Sequence, residues 1–244
     1  MSLLTNLVGY WKLDEASGDA IDSHGNHDLA ENNTPDSVEG KISGARSFDS
    51  SLLQGFSKGA DSELGITDSG FTFACWVKPN GFGVIASKGW GVHRNFREEW
   101  RLSIGEASLV FRCRGTNSNP NIHVASLPLD EWSHVVCGRE ITSIDTMTLF
   151  IYVNGVLAPV ILGSPFHNFN SAVGGRGFSL GFMSFTGTDY FDGAIDEAAY
   201  WMRTLTEENV SELYNSGNGL AYPFSTGNPT GNLNNTIRSM RHAL

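Results

Sequence analysis

The stretch FTFACWVKP, residues 71–79, decides the fold of this chain. Its side chains alternate with the period of two that an extended strand requires, because successive residues point to opposite faces. One face carries Phe71, Phe73, Cys75 and Val77. The other face carries Thr72, Ala74, Trp76 and Lys78. The pattern predicts a β-strand that buries one face in a core.

Similar β-rich runs recur on both sides of this stretch, separated by clusters of Gly, Asn, Asp and Pro. We predict strands over 7–13, 45–48, 83–87, 99–104, 108–114, 122–127, 133–139, 146–153, 178–182 and 194–202. Asn154-Gly155, which follows the run LFIYV, is typical of a tight β-hairpin turn. About a dozen short strands predict an all-β protein, a two-sheet antiparallel jelly-roll sandwich.

One stretch near the C-terminus predicts a short helix. TEENVSELY, residues 206–214, begins with a Thr that can cap the helix and has acidic residues in its first turn. Val210, Leu213 and Tyr214 share one face, and Gly217 follows as a stop signal. We expect the sandwich to occupy residues 1–224 and residues 225–244 to form a C-terminal extension.

Composition and charge limit the classes of function. The 244 residues include 16 basic and 26 acidic ones, for a formal net charge of −10. No basic stripe could follow a phosphate backbone, which argues against nucleic-acid binding. A hydrophobic content of 40 % and an aromatic content of 11 % exclude intrinsic disorder. The three cysteines, an odd number, cannot form a complete disulfide set, and Cys75 and Cys137 lie in strand-like runs that predict buried, reduced thiols.

The N-terminus, MSLLTNLVGYWKLDE, lacks the basic region, long apolar stretch and cleavage site of a signal peptide. No apolar run approaches the roughly 20 residues that a membrane span requires. We therefore expect the chain to fold in a cytoplasm without inserting into a membrane.

Several segments resemble, in order, the laminin-G-like domains of the concanavalin A-like lectin/glucanase superfamily. They are LVGYWKLDEASGDAIDSHGNHDL (7–29), GARSFDSS (44–51), FTFACWVKP (71–79), LPLDEWSHVVC (127–137), LFIYVNGVLA (149–158) and YFDGAIDEAAYWMRTLTEENVSELYNSG (190–217). The last segment is the most specific of the six. The resemblance covers residues 5–222 and implies a concanavalin A-like sandwich, but this fold hosts lectins, enzymes and structural modules alike.

The sequence lacks the motifs of catalysis. Relatives in this superfamily that cleave β-glucans carry Glu-x-Asp-x-x-Glu on one strand, and no such spacing occurs here. HExxH, P-loop and GxSxG motifs are also missing, and the seven His are scattered. We predict that the protein is not an enzyme.

Hard oxygen donors predict a structural calcium site. The candidate ligands are Asp14, Asp22, Asn26 and Asp196, with Ser23 beside them. The resemblance implies that their two segments meet near the sheet ends, where Ca²⁺ could join the N-terminal loop to the strand of Asp196. The alternative is that these side chains only form Asx-turns that cap a loop.

Ligand contact is predicted in the loops. The segment 87–101, SKGWGVHRNFREEWR, mixes aromatic and charged residues, and two further loops are rich in Asn and aromatic residues. The candidate ligand-binding residues are Trp90, His93, Arg97, Trp100, Asn117, His167 and Asn170. Aromatic rings with amide and guanidinium donors suit sugar rings, and they suit a protein interface equally well.

The C-terminal extension has a composition of its own. Residues 225–244 contain no acidic residue and two Arg, so the extension carries +2 and residues 1–224 carry −12. Spacings of three and four could place its apolar residues on one helical face. The candidate assembly residues are Ile237, Arg238, Met240, Arg241 and Leu244. We predict that this tail anchors the chain to an acidic partner surface, such as an identical subunit.

Most laminin-G-like modules work outside cells, whereas this N-terminus lacks a signal peptide. A virion protein, which is made in the host cytoplasm and released by lysis, satisfies both observations. Our leading hypothesis is a non-catalytic structural or adhesive virion protein, either a capsid decoration or a tail or fibre component. It would be a homo-oligomer, contact other virion proteins and bind host-surface glycans. The alternatives are a stand-alone carbohydrate-binding lectin and a divergent glycoside hydrolase.

Overall fold

The computed structural model describes residues 1–61, 63–64, 70–90, 97–113, 121–143, 146–164, 166–168, 176–183 and 186–224. Only the backbone is described for residues 90, 97–99, 166–168 and 176. Within these ranges no helix is long and apolar enough to cross a membrane.

Strands dominate the described residues. They are β1 Leu7–Trp11, β2 Ala30–Asn32, β3 Asp36–Glu39, β4 Gly44–Phe48, β5 Gly55–Asp61, β6 Phe71–Pro79, β7 Gly83–Trp90, β8 Arg97–Ile104, β9 Ser108–Cys113, β10 Asn121–Ala125, β11 Ser133–Ser143, β12 Thr146–Val153, β13 Val156–Leu157, β14 Leu162–Gly163, β15 Phe166–Asn168, β16 Arg176–Leu180 and β17 Gly193–Trp201. The α-helix α1 covers Glu207–Tyr214, and short 3-10 turns cover Ser50–Leu52 and Asn215–Gly217.

The strands form two antiparallel sheets. Sheet I has the order β13-β12-β11-β6-β17-β4-β3, with β1 paired to β17 and β15 paired to β12. Sheet II has the order β14-β10-β9-β8-β7-β16-β5-β2. The two sheets pack face to face, which confirms the predicted jelly-roll sandwich with one short helix near its C-terminal end.

The core between the sheets is built from aromatic rings. Phe71 and Phe73 of β6 project from sheet I toward Trp100 of β8 in sheet II, with ring centroids 5.6 and 5.3 Å away. Phe178 and Tyr200 complete the cluster at 6.0 and 6.1 Å from the Trp100 ring. The alternation of FTFACWVKP therefore decides which face of β6 enters this core.

A second apolar layer covers the outer face of sheet I. Residues 215–224, which we call the C-terminal strap, follow α1 and pack with it over this face. Tyr222 and Phe224 of the strap lie 5.1 and 5.3 Å from the ring of Tyr10. The centre of sheet I is thus buried on both faces, which explains why every residue of β17 is buried.

Local sequence signals account for the helix and the main hairpin. The Thr206 hydroxyl accepts a hydrogen bond from the Asn209 N–H, and Val210 and Leu213 are buried, as predicted. The helix ends at Asn215, whose φ of 47° is left-handed. Asn154 and Gly155 join β12 to β13 with φ values of 51° and 80°, which is the geometry of a type I′ turn.

Candidate functional site

A groove of about 370 Å³ lies on the outer face of sheet II. It is formed where β2, β5, β16 and β7 run side by side at one end of the sheet. Its lining residues are Asn32, Ser57, Lys58, Gly59, Ala60, Gly89, Gly177 and Phe182. Within the described ranges this face carries no helix, in contrast to the outer face of sheet I.

Glycines create the depression. Gly59 in β5, Gly177 in β16 and Gly89 in β7 line the groove, so three neighbouring strands present backbone instead of side chains. A Cβ placed on Gly59 would meet no atom within 4 Å, so this position faces open space. A Cβ on Gly177 would lie 3.1 Å from the carbonyl oxygen of Lys58, so the floor there is close-packed.

Polar groups and one aromatic ring stand around this floor. The amide nitrogen of Asn32 donates to the Ser57 hydroxyl at 3.0 Å, which fixes both side chains at the rim. Lys58 donates to the Asn26 carbonyl at 3.2 Å, and its ammonium lies 3.7 Å from the Asp61 carboxylate. Phe182 stacks on Tyr190 with ring centroids 5.1 Å apart, which fixes the aromatic side of the groove.

A row of hydrogen-bonding side chains continues from the groove across sheet II. The register pairs Ser57 with Ser179, and Ser179 with Ser87. The hydroxyls of Ser87 and Ser179 lie 2.8 Å apart and both donate to the carbonyl oxygen of Phe182. These bonds hold the turn that carries Phe182 against the sheet.

The same row then reaches two arginines. Ser87 pairs with Arg101, Arg101 pairs with Arg112, and Arg112 pairs with Asn121. The guanidinium of Arg101 lies 3.9 Å from the carboxylate of Asp189. The outer face of sheet II is therefore polar from the groove to β10, whereas the inner face is apolar except for the buried Lys88, which pairs with Phe178 and Trp100.

The prediction of Trp100 as a ligand-binding residue was wrong. Its side chain is fully buried and lies at the centre of the aromatic cluster between the sheets. The physical reason is strand alternation, because Trp100, Leu102 and Ile104 point to the same inner face of β8. The charged residues around Trp100 obscured this pattern in the sequence.

The structure places the other predicted ligand residues only in part. Trp90 and Arg97 belong to the backbone of β7 and β8, and His167 to that of β15, while their side chains lie outside the described atoms. Gly89, which precedes Trp90, lines the groove. His93, Asn117 and Asn170 lie outside the described residues. The predicted assembly residues of the tail also lie outside them.

Asp22 of the predicted calcium site organises its own loop. One carboxylate oxygen accepts from the backbone N–H groups of Tyr10 and His24 at 2.9 Å, and the other accepts from that of His27 at 3.0 Å. Asn26 is exposed, and its backbone carbonyl accepts a hydrogen bond from Lys58. These contacts favour the Asx-turn alternative for this segment.

Asp14 and Asp196 are better candidates than Asp22 and Asn26 for carboxylate ligands of a hard cation. Asp14 accepts from the Gly44 N–H and Asp196 from the Ile42 N–H, each at 2.8 Å. The second oxygen of Asp196 is buried and has no hydrogen-bond partner among the residues that the structure describes. Burial raises the pKa of this carboxyl to about 7, with Asp14 adding to the rise. No group of three His, Cys, Asp or Glu side chains in the described part of the chain could hold a metal ion. Calcium between Asp14 and Asp196 stays a prediction.

The neighbouring acid, Glu197, contacts the second apolar layer through Tyr10. It lies at a β-bulge in β17, has a φ of 51° and accepts a hydrogen bond from the Tyr10 hydroxyl. Burial raises the pKa of Glu197 to about 8, so the carboxyl is largely neutral at pH 7. Glu197 lines a small cavity with Tyr10 and Leu220 on the outer face of sheet I, so it cannot act on a ligand bound at the groove of sheet II.

The residues of the groove were not predicted from the sequence. They come from four strands and one turn that are far apart in the chain: β5 contributes four of them, and β2, β7 and β16 contribute one each. The signal that could have found them is the glycine pattern of β5 and β16, GFSKGAD and RGFSL, which is unusual for strand interiors.

Two antiparallel sheets around one apolar core, with an open polar groove on one outer face, define a lectin-type jelly-roll β-sandwich. A laminin-G family model, described as "Concanavalin A-like lectin/glucanases superfamily", matches residues 57–211. The chain belongs to this superfamily, which confirms the resemblance seen in the sequence. No curated protein matches the chain.

Solved structures share the fold at low sequence identity. The binding domain of Paraclostridial Mosquitocidal Protein 1 is 16 % identical with a TM-score of 0.62, over 88 % of this chain and 53 % of that one. Domain 4 of AbnA, a GH43 extracellular arabinanase from Geobacillus stearothermophilus in complex with arabinotriose, is 19 % identical with a TM-score of 0.58. The match covers 85 % of this chain and 97 % of that domain. A Trypanosoma rangeli sialidase in complex with sialic acid is 15 % identical with a TM-score of 0.62, over 87 % of this chain and 33 % of the sialidase. This chain therefore spans about half of the toxin chain and a third of the sialidase.

Proposed function

We propose that this protein is a non-catalytic glycan-binding module whose site is the groove on the outer face of sheet II. The observation that carries the proposal is the groove itself, which combines a glycine floor, fixed polar side chains and an aromatic ring. A sugar ring presents hydroxyls at its edge and C–H groups on its faces. It is therefore recognised by polar groups around a surface that it can approach closely.

Each part of the groove has a role in this proposal. The floor at Gly59, Gly89 and Gly177 lets a flat ring lie near the backbone of the sheet. The Asn32–Ser57 pair and the Lys58 ammonium supply hydrogen bonds to hydroxyls at the rim. Phe182, which is buried against Tyr190 and only 7 % exposed, forms the apolar wall of the groove rather than an open stacking surface.

The similar structures support an oligosaccharide as the ligand class. Domain 4 of AbnA was solved in complex with arabinotriose, and the present chain covers almost all of that domain. Two further similar structures are a toxin binding domain and a neurotoxin receptor-binding domain, which supports a binding role rather than catalysis.

A variant at Gly59 tests the proposal. In Gly59→Leu a side chain fills the groove without a clash, because the added Cβ would meet no atom within 4 Å. We expect binding to fall at least about tenfold while the free energy of unfolding changes by no more than about 0.5 kcal/mol. An array of plant, bacterial and animal glycans identifies the best-bound oligosaccharide, and calorimetric titration with that oligosaccharide then gives its Kd.

The matched control is Gly105→Leu. Gly105 follows β8 in the same sheet, and a Cβ there would meet only the Ser108 carbonyl oxygen at 3.9 Å. This variant should bind like the wild type. Equal affinity of Gly59→Leu and Gly105→Leu, or no glycan bound by the wild type, would contradict the proposed groove.

We extend the proposal to a place on a virion, as a homo-oligomeric capsid decoration or as a tail or fibre component. The three cysteines, all free and buried, support folding in a reducing compartment before release. The alternative, a stand-alone lectin, would use the same groove. Protein mass spectrometry of purified particles tests this extension, because a decoration protein is present in many copies and a stand-alone lectin is absent.

A further inference from the structure

A ridge of exposed apolar side chains runs along one side of the sandwich. It comprises Val156, Leu157, Val160, Ile161 and Leu162, and we call it the apolar ridge. Four of these five side chains are more than half exposed. A soluble protein rarely exposes so many large apolar groups in succession unless another surface covers them.

The apolar ridge lies at the edges of both sheets. The segment leaves sheet I as its edge strand β13 and enters sheet II as its edge strand β14. It therefore crosses the open side of the sandwich, where both sheets end. Edge strands with apolar side chains are sites where another chain can dock.

An acidic groove begins where the apolar ridge ends. Gly155, which precedes Val156, lines a groove of about 570 Å³ together with Glu207, Glu208 and Glu212 of α1. The pKa of Tyr152, which pairs with Leu157, is raised by burial and by the charges of Glu207, Glu140 and Glu208. The two surfaces are thus neighbours, one apolar and the other strongly negative.

The C-terminal tail has the complementary chemistry. Residues 225–244 carry two arginines and no acid, whereas residues 1–224 carry −12. In a helix, Ile237, Met240 and Leu244 would form one stripe about 10 Å long. Arg238 and Arg241 would both lie on the same flank of that stripe, at about 100° per residue. A tail with this sequence, if helical, would present an apolar stripe with a basic flank to an apolar ridge with an acidic flank.

We propose that the apolar ridge and the acidic groove together form the docking site for residues 225–244 of a second copy of this chain. The strap ends at Phe224, which packs on Tyr10 and Trp201 beside β1. The apolar ridge starts at β13, the opposite edge of sheet I, about five strand spacings or roughly 24 Å away. Between them, α1 and the strap cover the outer face that a chain's own tail would have to cross.

The contact is therefore head to tail, because the donor and acceptor surfaces lie at opposite edges of the sandwich. Such a contact generates a ring when the rotation closes. The inference rests on the proposed homo-oligomer and names its interface. It is independent of the glycan groove, which lies at the β2 end of sheet II, whereas the apolar ridge meets the β14 end.

Photo-crosslinking of the full-length chain tests the docking site. The crosslinker p-benzoylphenylalanine replaces Met240, and unlabelled and nitrogen-15-labelled chains are mixed in equal amounts before irradiation. Mass spectrometry of the cross-linked peptides then identifies both the site and the source of each partner. We expect cross-links to residues 153–163 or 207–216, with a statistical share of pairs that carry both isotopic labels.

Two variants with matched controls probe the two halves of the site. Leu157→Ser/Ile161→Ser should weaken self-association at least about tenfold, whereas Val38→Ser/Leu52→Ser, at exposed apolar positions elsewhere, should not. Glu207→Gln/Glu212→Gln should weaken it in low salt, whereas Glu106→Gln, at the exposed β8–β9 turn, should not. Sedimentation velocity measures the association constants.

Three results would overturn the inference. Cross-links to other residues in a stable oligomer would reject this interface while leaving the oligomer in place. Cross-links only between identically labelled peptides would show that the tail docks on its own chain. A monomer at all concentrations would reject both the docking site and the proposed homo-oligomer, and glycan binding would remain a separate question.

Discussion

At the scale of single residues, His134 is a buried titratable group that makes the folded state less stable at acidic pH. Its ring lies between those of Trp76 and Tyr214, with centroids 5.1 and 6.1 Å away. Nδ1 is buried and has no hydrogen-bond partner among the described residues. Burial lowers the pKa of His134 to about 3. The folded state therefore keeps a neutral imidazole where the unfolded chain would be protonated below about pH 6.5.

The sign of the pH effect follows from this difference. Between about pH 6.5 and pH 3 the unfolded state binds a proton that the folded state excludes, so stability falls as the pH falls. When the pH drops from 7 to 5, the free energy of unfolding of the wild type should fall by about 2 kcal/mol more than that of His134→Phe, which keeps the stacked ring. Urea denaturation at the two pH values measures this difference.

The control for His134 is His123→Phe, since the ring of His123 is only half-buried and bonds the Ser108 hydroxyl. That variant should follow the wild type between pH 7 and pH 5. Glu197 lines the same small cavity as His134, and burial raises its pKa to about 8 in the wild type. Because both proteins contain Glu197, we expect its own contribution to cancel in the comparison. Parallel pH profiles of wild type and His134→Phe would contradict the assignment.

At the scale of elements, one arginine ties the N-terminus to the helix. The guanidinium of Arg203 donates to the Thr5 carbonyl at 2.8 Å, to the Ser2 carbonyl at 3.0 Å and to the Asn209 side-chain oxygen at 3.1 Å. Asn209 in turn donates to the Met1 carbonyl at 3.1 Å. Residues 1–7, β17 and α1 are thereby locked into the second apolar layer.

Arg203→Lys tests this tie, because an ammonium cannot reach three acceptors in the fork geometry of a guanidinium. We expect the free energy of unfolding to fall by about 2 kcal/mol or more, since at least one charged hydrogen bond is lost. Amide exchange in residues 3–7 should also accelerate. A double-mutant cycle with Asn209→Ala should give a coupling of roughly 0.5–3 kcal/mol. Additive effects would mean that the two side chains act separately.

The elements that the sequence predicted correctly are those with strong local patterns. FTFACWVKP alternates cleanly, Thr206 caps α1, and Asn154-Gly155 makes its turn, so each of these follows from nearest neighbours along the chain. β3 was missed because all four of its residues are exposed and no face is apolar. β5 was missed because its two glycines and its lysine weaken the strand signal.

The site was harder to predict than the fold, for a physical reason. The groove depends on the lateral order of β2, β5, β16 and β7, which long-range pairing sets. The sequence favoured loops rich in aromatic and charged residues, and Trp100 shows how this fails, because its strand carries the ring inward. Exposure was inferred from neighbours in sequence, whereas it is decided by which face meets the other sheet.

At the scale of the whole molecule, the last described residues close one side of the sandwich. Tyr222 and Phe224 close the second apolar layer over Tyr10 and Trp201, and the first residue beyond them begins the basic tail. The proposed glycan groove and the proposed docking site lie at opposite ends of sheet II. A ring built through the tails would therefore leave every groove accessible, which is the arrangement that multivalent glycan binding requires.

Two truncated chains separate folding from assembly at this scale. A chain that ends at Phe224 keeps every contact of the strap and should unfold at the same temperature as the full chain, but it should sediment as a monomer. A chain that ends at Asn218 also loses Leu220, Tyr222 and Phe224 and so exposes the ring of Tyr10. It should be less stable by about 2–4 kcal/mol, because these side chains are only partly buried. Calorimetry gives the stabilities, and sedimentation velocity gives the masses. If the chain that ends at Phe224 assembles as well as the full chain, residues 225–244 are not the assembly element.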